Sequence, residues 1–329
     1  MTGRAVLAVL ALIVLAGCAG LGADTADISV EVTETSEAVV GGPFEVPVTL
    51  ENDGDDGNET VTLAVDGSAV DNQTVTVEPD NQTETTLEHT FDEPGDHEVT
   101  VANQSWTVTV GEDPTPDVLA EHEATAAYET TESIEADLVS NGDPFTIDAE
   151  GTGVYDLEAE TAYTEFDVEM AVFGMEIETL EEEWYEDGLV YERETEGEIV
   201  EYDVEPGSFD DVALWESDLL PSLTPSVEED VYRYTLEMGS MQDFPGDDPG
   251  DFGLMGVDSA TITYDIDRET LAYERFTMAI EGNEMNFGGW LASGTIEFDI
   301  HFDAVEGPVD ASVPETVREE AESSDWQTG

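Results

Sequence analysis

Over the first third of the chain, apolar and polar residues alternate in short runs. A period of two is typical of half-buried β-strands, and the segments between the runs are rich in the Gly, Pro, Asn and Asp of tight turns. The pattern predicts a mainly β fold that begins with a seven-stranded β-sandwich over residues 28–111. The alternating runs are Ile28-Val30-Val32, Phe44-Val46-Val48-Leu50, Val61-Leu63-Val65, Val75-Val77, Val99-Val101 and Trp106-Val108-Val110.

Three segments of this region resemble the CARDB type of immunoglobulin-like module. They are Gly42-Pro-Phe-Glu-Val-Pro-Val-Thr-Leu-Glu-Asn52-Asp-Gly54, then Asp66-Gly67, then Pro94-Gly95-Asp-His97-Glu-Val99. The resemblance implies an immunoglobulin-like β-sandwich that acts as a spacer or a contact module on an extracellular protein. It brings no catalytic residue.

The second half of the chain follows a linker at residues 112–117 and predicts a separate domain over 118–318, with a tail at 319–329. Val118, Leu119, Ala126, Ala127, Ile134 and Leu138 are spaced as one apolar stripe, which predicts a long amphipathic helix over 117–139. Alternating strands follow it from Phe145 onwards, and a shift in their apolar parity predicts a bulge near Gly174. A second helix is predicted over Phe209 to Leu220, with Pro221 ending it.

A helix followed by a long antiparallel meander resembles the LolA and LppX superfamily of lipoprotein carriers. The residues that carry the resemblance are Ala126-Ala127-Tyr128 with Ser133-Ile134, Glu183-Trp184-Tyr185 with Gly188 and Tyr191, and Gly307-Pro308-Val309-Asp310 with Val313-Pro314. The resemblance implies an α+β half-barrel in which a long antiparallel sheet wraps over a helix and encloses an apolar cavity for acyl chains.

The amino terminus has the features of a secretory signal over residues 1–17. Arg4 precedes an apolar run that is shorter than the roughly 20 residues of a membrane span, and Leu15-Ala16-Gly17-Cys18 resembles a lipobox. Cleavage before Cys18 would leave a lipid on its thiol, so that residues 18–27 form a short tether and the protein lies on the extracellular face of the membrane. The alternative is an uncleaved amino-terminal anchor with an incidental thiol.

Charge changes the picture, because 82 Asp and Glu face only 6 Lys and Arg, for a formal net charge of −76. Nucleic-acid binding is excluded, since it requires clustered basic residues. At molar salt the Debye length falls to about 3 Å, which screens this repulsion. The composition resembles that of proteins from salt-loving archaea and indicates a hypersaline medium.

Methionines are concentrated in the second domain, where flexible and polarizable side chains suit an adaptable apolar site. We expect a pocket there for a lipid or isoprenoid chain, with residues 241–257 as a flap over it. The alternatives are ordinary core packing and an unstructured acidic loop. The candidate pocket residues are Met170, Met175, Met238, Phe276, Met278 and Met255.

Four N-glycosylation sequons fall in the first domain, at Asn58, Asn72, Asn81 and Asn103. They predict a glycosylated module; the alternative is that Asn and Thr are simply common in its turns. Envelope glycans or proteins are the corresponding candidate partners.

No pattern of catalytic or metal-ligating residues stands out. The four histidines lack ligand spacing, no P-loop or Gly-x-Ser-x-Gly turn occurs, and paired carboxylates carry no information among so many acids. We expect Arg193, Arg233, Arg268 and Arg275 to pair with carboxylates across strands. The sequence therefore predicts a non-enzymatic, lipid-anchored surface protein without a cofactor or metal that binds an apolar ligand, or, alternatively, a structural or adhesive envelope protein.

Overall fold

A computed structural model describes residues 26–140, 142–172, 174–209, 217–228, 230–239, 257–287, 290–305 and 309–324. The chain divides into two compact units, Met1–Asp113 and Pro114–Gly329. Both are mainly β, as the alternation predicts. Cys18, Met255 and most of the predicted flap lie outside the described residues.

Unit 1 consists of two sheets around one core. The first sheet has the order β1-β3-β6 and the second the order β2-β8-β7-β4-β5, in which β2 and β8 run parallel. Alternate residues of both sheets, such as Val46 and Leu63, are fully buried in a common cluster. The strands are β1 (Ile28–Val32), β2 (Glu37–Val39), β3 (Pro43–Asn52), β4 (Gly57–Val65), β5 (Ser68–Val77), β6 (Asn81–Thr90), β7 (Gly95–Val101) and β8 (Gln104–Gly111).

Unit 2 is built on a curled antiparallel sheet of half-barrel form, in which eleven described strands have the order β14-β13-β12-β11-β10-β9-β19-β18-β17-β16-β15. A short helix, α1 (Thr115–Ala124), precedes the sheet, a 3₁₀ helix spans Ser217–Ser222, and α2 (Glu315–Ser324) follows the sheet. The strands are β9 (Ala127–Ser140), β10 (Asp143–Asp156), β11 (Thr161–Val172), β12 (Met175–Glu186), β13 (Leu189–Glu196), β14 (Ile199–Pro206), β15 (Pro225–Glu228), β16 (Val231–Met238), β17 (Val257–Asp267), β18 (Tyr273–Phe287) and β19 (Trp290–Val305).

The long helix predicted over 117–139 is wrong beyond Ala124. Residues 127–140 form β9, the central strand that joins the two halves of the sheet. Alternate residues of β9 are buried, but three of them, Thr130, Glu132 and Ser140, are polar. Buried polar residues hide the period of two, so Ile134 and Leu138 were assigned to a helical stripe. The idea of a sheet wrapped over a long helix is corrected accordingly.

Three further sequence predictions change. The register pairs Val172 with Met175, and Gly174 has a φ of 78°, so the chain reverses there in a tight turn and does not form a bulge. Most of the helix predicted from Phe209 to Leu220 lies outside the described residues, and its described end is the 3₁₀ helix, which contains Pro221. Residues 319–324, assigned to the tail, belong to α2.

The main core of unit 2 lies on one face of the sheet, but at one edge of the sheet the opposite face is buried as well. We call the face that carries Tyr128, Ile134 and Phe276 the inner face. Its apolar residues form the main core together with Val118 of α1 and Leu220 of the 3₁₀ helix.

At the β12–β14 end, α2 covers the opposite, outer face. There Val317 packs with Trp184 and Tyr191, and Arg318 lies 5.7 Å from the ring centre of Tyr191. On their inner face, these same strands contribute Tyr185 and Val190 to the main core and also carry acidic residues such as Glu181 and Glu194.

Candidate ligand-binding face

One apolar row crosses the inner face of unit 2 over eight adjacent strands. Each member is the direct cross-strand partner of the next, so all the side chains point to the same side of the sheet. At about 4.8 Å per strand the row is roughly 34 Å long. From β16 to β12 it consists of Met238, Ala260, Ile280, Ile296, Ala136, Ile147, Met170 and Ile177.

Burial along this row falls from one end to the other. From Met238 to Ala136 the members are buried in the core that α1 and the 3₁₀ helix share. Ile147, Met170 and Ile177 are only half-buried, although they continue the same row. The inner face of β10–β12 therefore presents a partly solvent-exposed apolar surface, which we call the open strip: Phe145, Ile147, Phe166, Met170, Val172, Met175 and Ile177.

The structure separates the predicted pocket residues into two groups. Met238 and Phe276 are buried in the main core, and Met278 is half-buried against it. Met170 and Met175 belong to the open strip, where Met175 is 59% exposed. Met255 lies outside the described residues. All five described residues are on the inner face, but they do not form one cluster.

A buried carboxyl group lies beside the open strip, and sequence reasoning missed it. Glu132 of β9 is 5% exposed on the inner face. Its Oε1 accepts hydrogen bonds from Thr130 Oγ1 at 2.5 Å and from Tyr155 OH at 2.9 Å. Burial raises the pKa of Glu132, and these two hydrogen bonds oppose that shift.

Two glycines of β10 make room for this arrangement. Gly153 has no side chain where a Cβ would lie 2.5 Å from Glu132 Oε1 and 2.4 Å from Thr130 Oγ1. Gly151 likewise accommodates the ring of Phe166, which a Cβ would approach to 2.6 Å. In the register Glu132–Gly151–Phe166, an acid on β9 and an aromatic ring on β11 therefore lie on either side of a glycine of β10. The pair Gly151 and Gly153 was the one sequence signal for this site.

The inner face of β12–β14 is acidic. Two neighbouring cross-strand rows pair Glu181 with Glu194 and Glu183 with Glu192, and both rows continue onto acidic residues of β14. Loss of hydration and the charges of Glu194 and Glu192 raise the pKa of Glu181. Loss of hydration, followed by the charges of Glu205, Asp203 and Glu194, raises the pKa of Glu192. The open strip thus lies between the main core and a field of negative charge.

A second set of buried polar groups lies where α1 packs on the sheet. His122 Nδ1 and Tyr273 OH are buried without a hydrogen-bond partner in the described structure, and their rings are 5.0 Å apart in an edge-to-face contact. Burial lowers the pKa of His122 and raises that of Tyr273, which favours the neutral form of both. Burial also raises the pKa of the neighbouring Tyr128 to about 12.

The four sequons are all exposed on unit 1. Asn58 and Asn72 lie on the same face of the β4–β5 pair, where Thr60 Oγ1 and Thr74 Oγ1 are 3.0 Å apart. Asn103 occupies a turn with a φ of 69°, and Asn81 begins β6. Each acceptor nitrogen is therefore on a surface that solvent reaches.

The described residues offer few other candidates for chemistry. Among the described residues, no group of three or more His, Cys, Asp and Glu is placed to hold a metal ion. The same residues include no helix long and apolar enough to cross a membrane.

Arg233 pairs with Asp265 directly across β16 and β17 at 2.7 Å. Arg193 pairs with Glu182, and Arg275 with Asp299, so the expected carboxylate pairing is confirmed for these three arginines. Arg268 lies 5.4 Å from the ring centre of Tyr232.

Comparison with known proteins adds little. No protein-family model and no curated protein matches the chain. Among solved structures, the crystal structure of a DUF1329 family protein from Desulfovibrio piger aligns at 11% identity with a TM-score of 0.26. The alignment covers 62% of this chain and 98% of that one. A similarity of this size carries no conclusion about fold or function.

Proposed function

We propose that unit 2 binds an apolar ligand, a lipid or isoprenoid chain, on the open strip of the inner face, and that the protein is not an enzyme. The observation that carries the proposal is the eight-strand apolar row, which is buried at Met238 and half-buried at Met170. Burying each additional Å² of apolar surface contributes about 25 cal/mol, so a chain lying along this row gains affinity without any specific contact. The raised pKa values of Glu181 and Glu192 mark the polar edge of the surface.

The test is extraction of the purified full chain with organic solvent, followed by mass spectrometry of the released molecules. The proposal expects a non-covalent apolar molecule at close to one equivalent. Ile147→Asn and Met170→Asn, which place an amide on the open strip, should each reduce the amount severalfold. Val139→Asn is the matched control, because Val139 is an exposed apolar residue on the outer face of β9. Extraction of nothing above the level of a blank would overturn the proposal.

The half-barrel form of the sheet and its apolar inner face support a LolA- or LppX-like carrier fold for unit 2. The support comes from the sheet alone, because the residues Tyr128 to Ile134, which suggested a covering helix, are part of β9. The cover on the inner face comes instead from α1 and the 3₁₀ helix.

For unit 1 we propose a CARDB-type, immunoglobulin-like spacer. Its support is the strand order, with a three-stranded sheet β1-β3-β6 facing a sheet in which the short β2 runs parallel to β8. We further propose N-glycosylation at one or more of Asn58, Asn72, Asn81 and Asn103. Peptide mass spectrometry of the native protein tests the modification at each asparagine.

We propose that Cys18 carries a lipid that anchors the protein to the extracellular face of a membrane. The support is the lipobox-like Leu15-Ala16-Gly17-Cys18. Cys18→Ser should move the protein from the membrane fraction to the medium or leave it as an uncleaved precursor. Wild-type protein with the intact mass of an unmodified full-length chain would contradict the proposal.

A second candidate function is that of a structural or adhesive envelope protein that binds glycans or other envelope proteins. The tight burial of Met238 and Phe276 favours it, since these residues fill a core and do not line a void. The same extraction experiment separates the two functions, because the structural protein releases no ligand.

A further inference from the structure

Only one of the two carboxyl oxygens of Glu132 accepts hydrogen bonds from the described residues. Both hydrogen bonds, from Thr130 and from Tyr155, go to Oε1, and none of the described residues donates to Oε2. The side chain is nevertheless 95% buried, since its exposed fraction is 5%. Oε2 is not among the buried side-chain atoms of the described residues that lack a partner, so solvent reaches this oxygen, and a ligand group can take the place of solvent there.

The surroundings of Oε2 restrict what that group can be. Ile134 of the same strand and Phe166, two strands away on the same row, are apolar and only half-buried. An anionic group is disfavoured by Glu132 itself and by Glu181 and Glu183 on the same face. A cationic group would form an ion pair in an apolar setting, where the desolvation penalty opposes the Coulombic attraction.

A hydroxyl group satisfies both protonation states of the carboxyl. When Glu132 is ionised, Oε2 accepts the hydroxyl proton. When Glu132 is neutral, Oε1 already accepts two bonds, so the acid proton is on Oε2 and is donated to the hydroxyl oxygen. Burial raises the pKa of Glu132, which extends the range in which the neutral form contributes.

We propose that the ligand of the inner face is a long-chain alcohol, either a fatty or a linear isoprenoid alcohol, whose hydroxyl group binds Oε2 of Glu132 while its chain lies along the open strip. This inference rests on the proposed function of unit 2 and adds the chemical class of the ligand. Gly151 and Gly153 place no Cβ on the inner face of β10, so the ring of Phe166 and the carboxyl group of Glu132 lie directly against this strand.

The experiment is competition for tritiated 1-hexadecanol on the full chain at about neutral pH and in molar salt, with 1-hexadecanol, hexadecanoate and hexadecylamine as unlabelled competitors. The wild type should bind the alcohol at least tenfold more tightly than either charged analogue. Glu132→Leu should weaken alcohol binding at least tenfold. Thr179→Val, a buried polar-to-apolar change on the same face of β12, should alter it by less than twofold.

Glu132→Gln keeps the side-chain shape and supplies an N–H donor in place of the acid, so it remains informative if the leucine variant does not fold. It should bind the alcohol with an affinity within about threefold of the wild type and bind hexadecanoate more tightly than the wild type does. The ratio of the affinities for alcohol and hexadecanoate should therefore be smaller in Glu132→Gln. Equal binding of alcohol and hexadecanoate by the wild type, tighter binding of the amine, or an unchanged difference in Glu132→Gln would overturn the inference while leaving the proposed function intact. Binding of none of the three probes would overturn the proposed function itself.

Discussion

The carboxyl group of Glu132 lies over the backbone of Gly153, so that a Cβ built on this glycine would be 2.5 Å from Oε1. The contact joins the central strand β9 to β10 in the part of the inner face where the core gives way to the open strip. The buried carboxyl group of Glu132 therefore occupies space that a side chain at position 153 would fill.

We therefore expect Gly153→Ala to lower the free energy of unfolding of unit 2 by about 1–3 kcal/mol, the usual cost of forcing extra volume into a packed site. The added methyl group would displace Glu132, Thr130 or the ring of Tyr155. Urea titration followed by circular dichroism measures the change. Gly239→Ala is the control, because a Cβ there meets nothing within 4 Å. Equal stability of Gly153→Ala and the control would contradict this packing.

Alternation in the sequence was sufficient to predict a mainly β chain and most of the strands, but it failed at the centre of the sheet. In β9 the inward-facing series Tyr128, Thr130, Glu132, Ile134 includes two polar residues that are buried only because Tyr155 and Gly153 of β10 accommodate them. Such partners come from another strand, and a single-strand pattern cannot include them. The same reason hid Glu132 as a site residue.

The described candidate pocket residues lie on one face of the sheet, but the sequence did not indicate how they are grouped on it. Met238 and Met170 share one cross-strand row, yet five strands lie between β16 and β11, because the last strand of the sheet in chain order, β19, pairs directly with the first, β9. Distance along the chain gave no indication of that order. Which side of the sheet α2 covers was equally unpredictable, since it depends on Trp184 and Tyr191 facing outward while their neighbours Tyr185 and Val190 face inward.

A row of five exposed carboxylates crosses the outer face, each directly opposite the next. Like charges in such positions destabilise a sheet by a few tenths of a kcal/mol to about 1 kcal/mol per pair, and salt screens them. Glu135→Gln, which removes a charge with a carboxylate on either side of it, should raise the melting temperature of unit 2 in about 0.1 M salt and have little effect in about 2 M salt. The row consists of Glu297, Glu135, Asp148, Glu169 and Glu178.

Glu237→Gln is the control for this prediction, because its cross-strand partner is the uncharged Thr261. It should change the melting temperature less than Glu135→Gln at low salt. The same increase for both variants would show that net charge matters and that the row does not.

The pKa values of two histidines of unit 1 should lie on opposite sides of the ordinary value of 6.5. The hydrogen bond from His97 Nδ1 to Asp66, 2.8 Å long, raises the pKa of His97. Burial lowers the pKa of His89. Both rings contact Phe91, with centres 4.9 and 4.7 Å away, so one nuclear magnetic resonance titration of the full chain reports on both.

Because the folded pKa of His97 is above its unfolded value, its contribution to stability is complete below about pH 6.5 and is lost as pH rises through the folded pKa. Asp66→Asn should bring the pKa of His97 down and remove this loss, while His89 continues to titrate below 6.5. Titration of His97 at or below 6.5 in the wild type would be inconsistent with the Asp66 hydrogen bond.

The outer-face cluster under α2 makes a prediction about local stability. Val317 is buried against Trp184 and Tyr191, and truncating such a residue costs about 1–3 kcal/mol through lost contacts and the cavity left behind. Val317→Ala should therefore loosen α2 and speed amide hydrogen exchange in β13 and β14, which this helix covers. Exchange in β16 and β17, near the opposite edge of the sheet, should stay unchanged. Val200→Ala is the matched control, because Val200 is on the same face of β14 but is 46% exposed and has less packing to lose. Faster exchange spread evenly over all eleven strands would mean that α2 stabilises the whole sheet and is not a local cover.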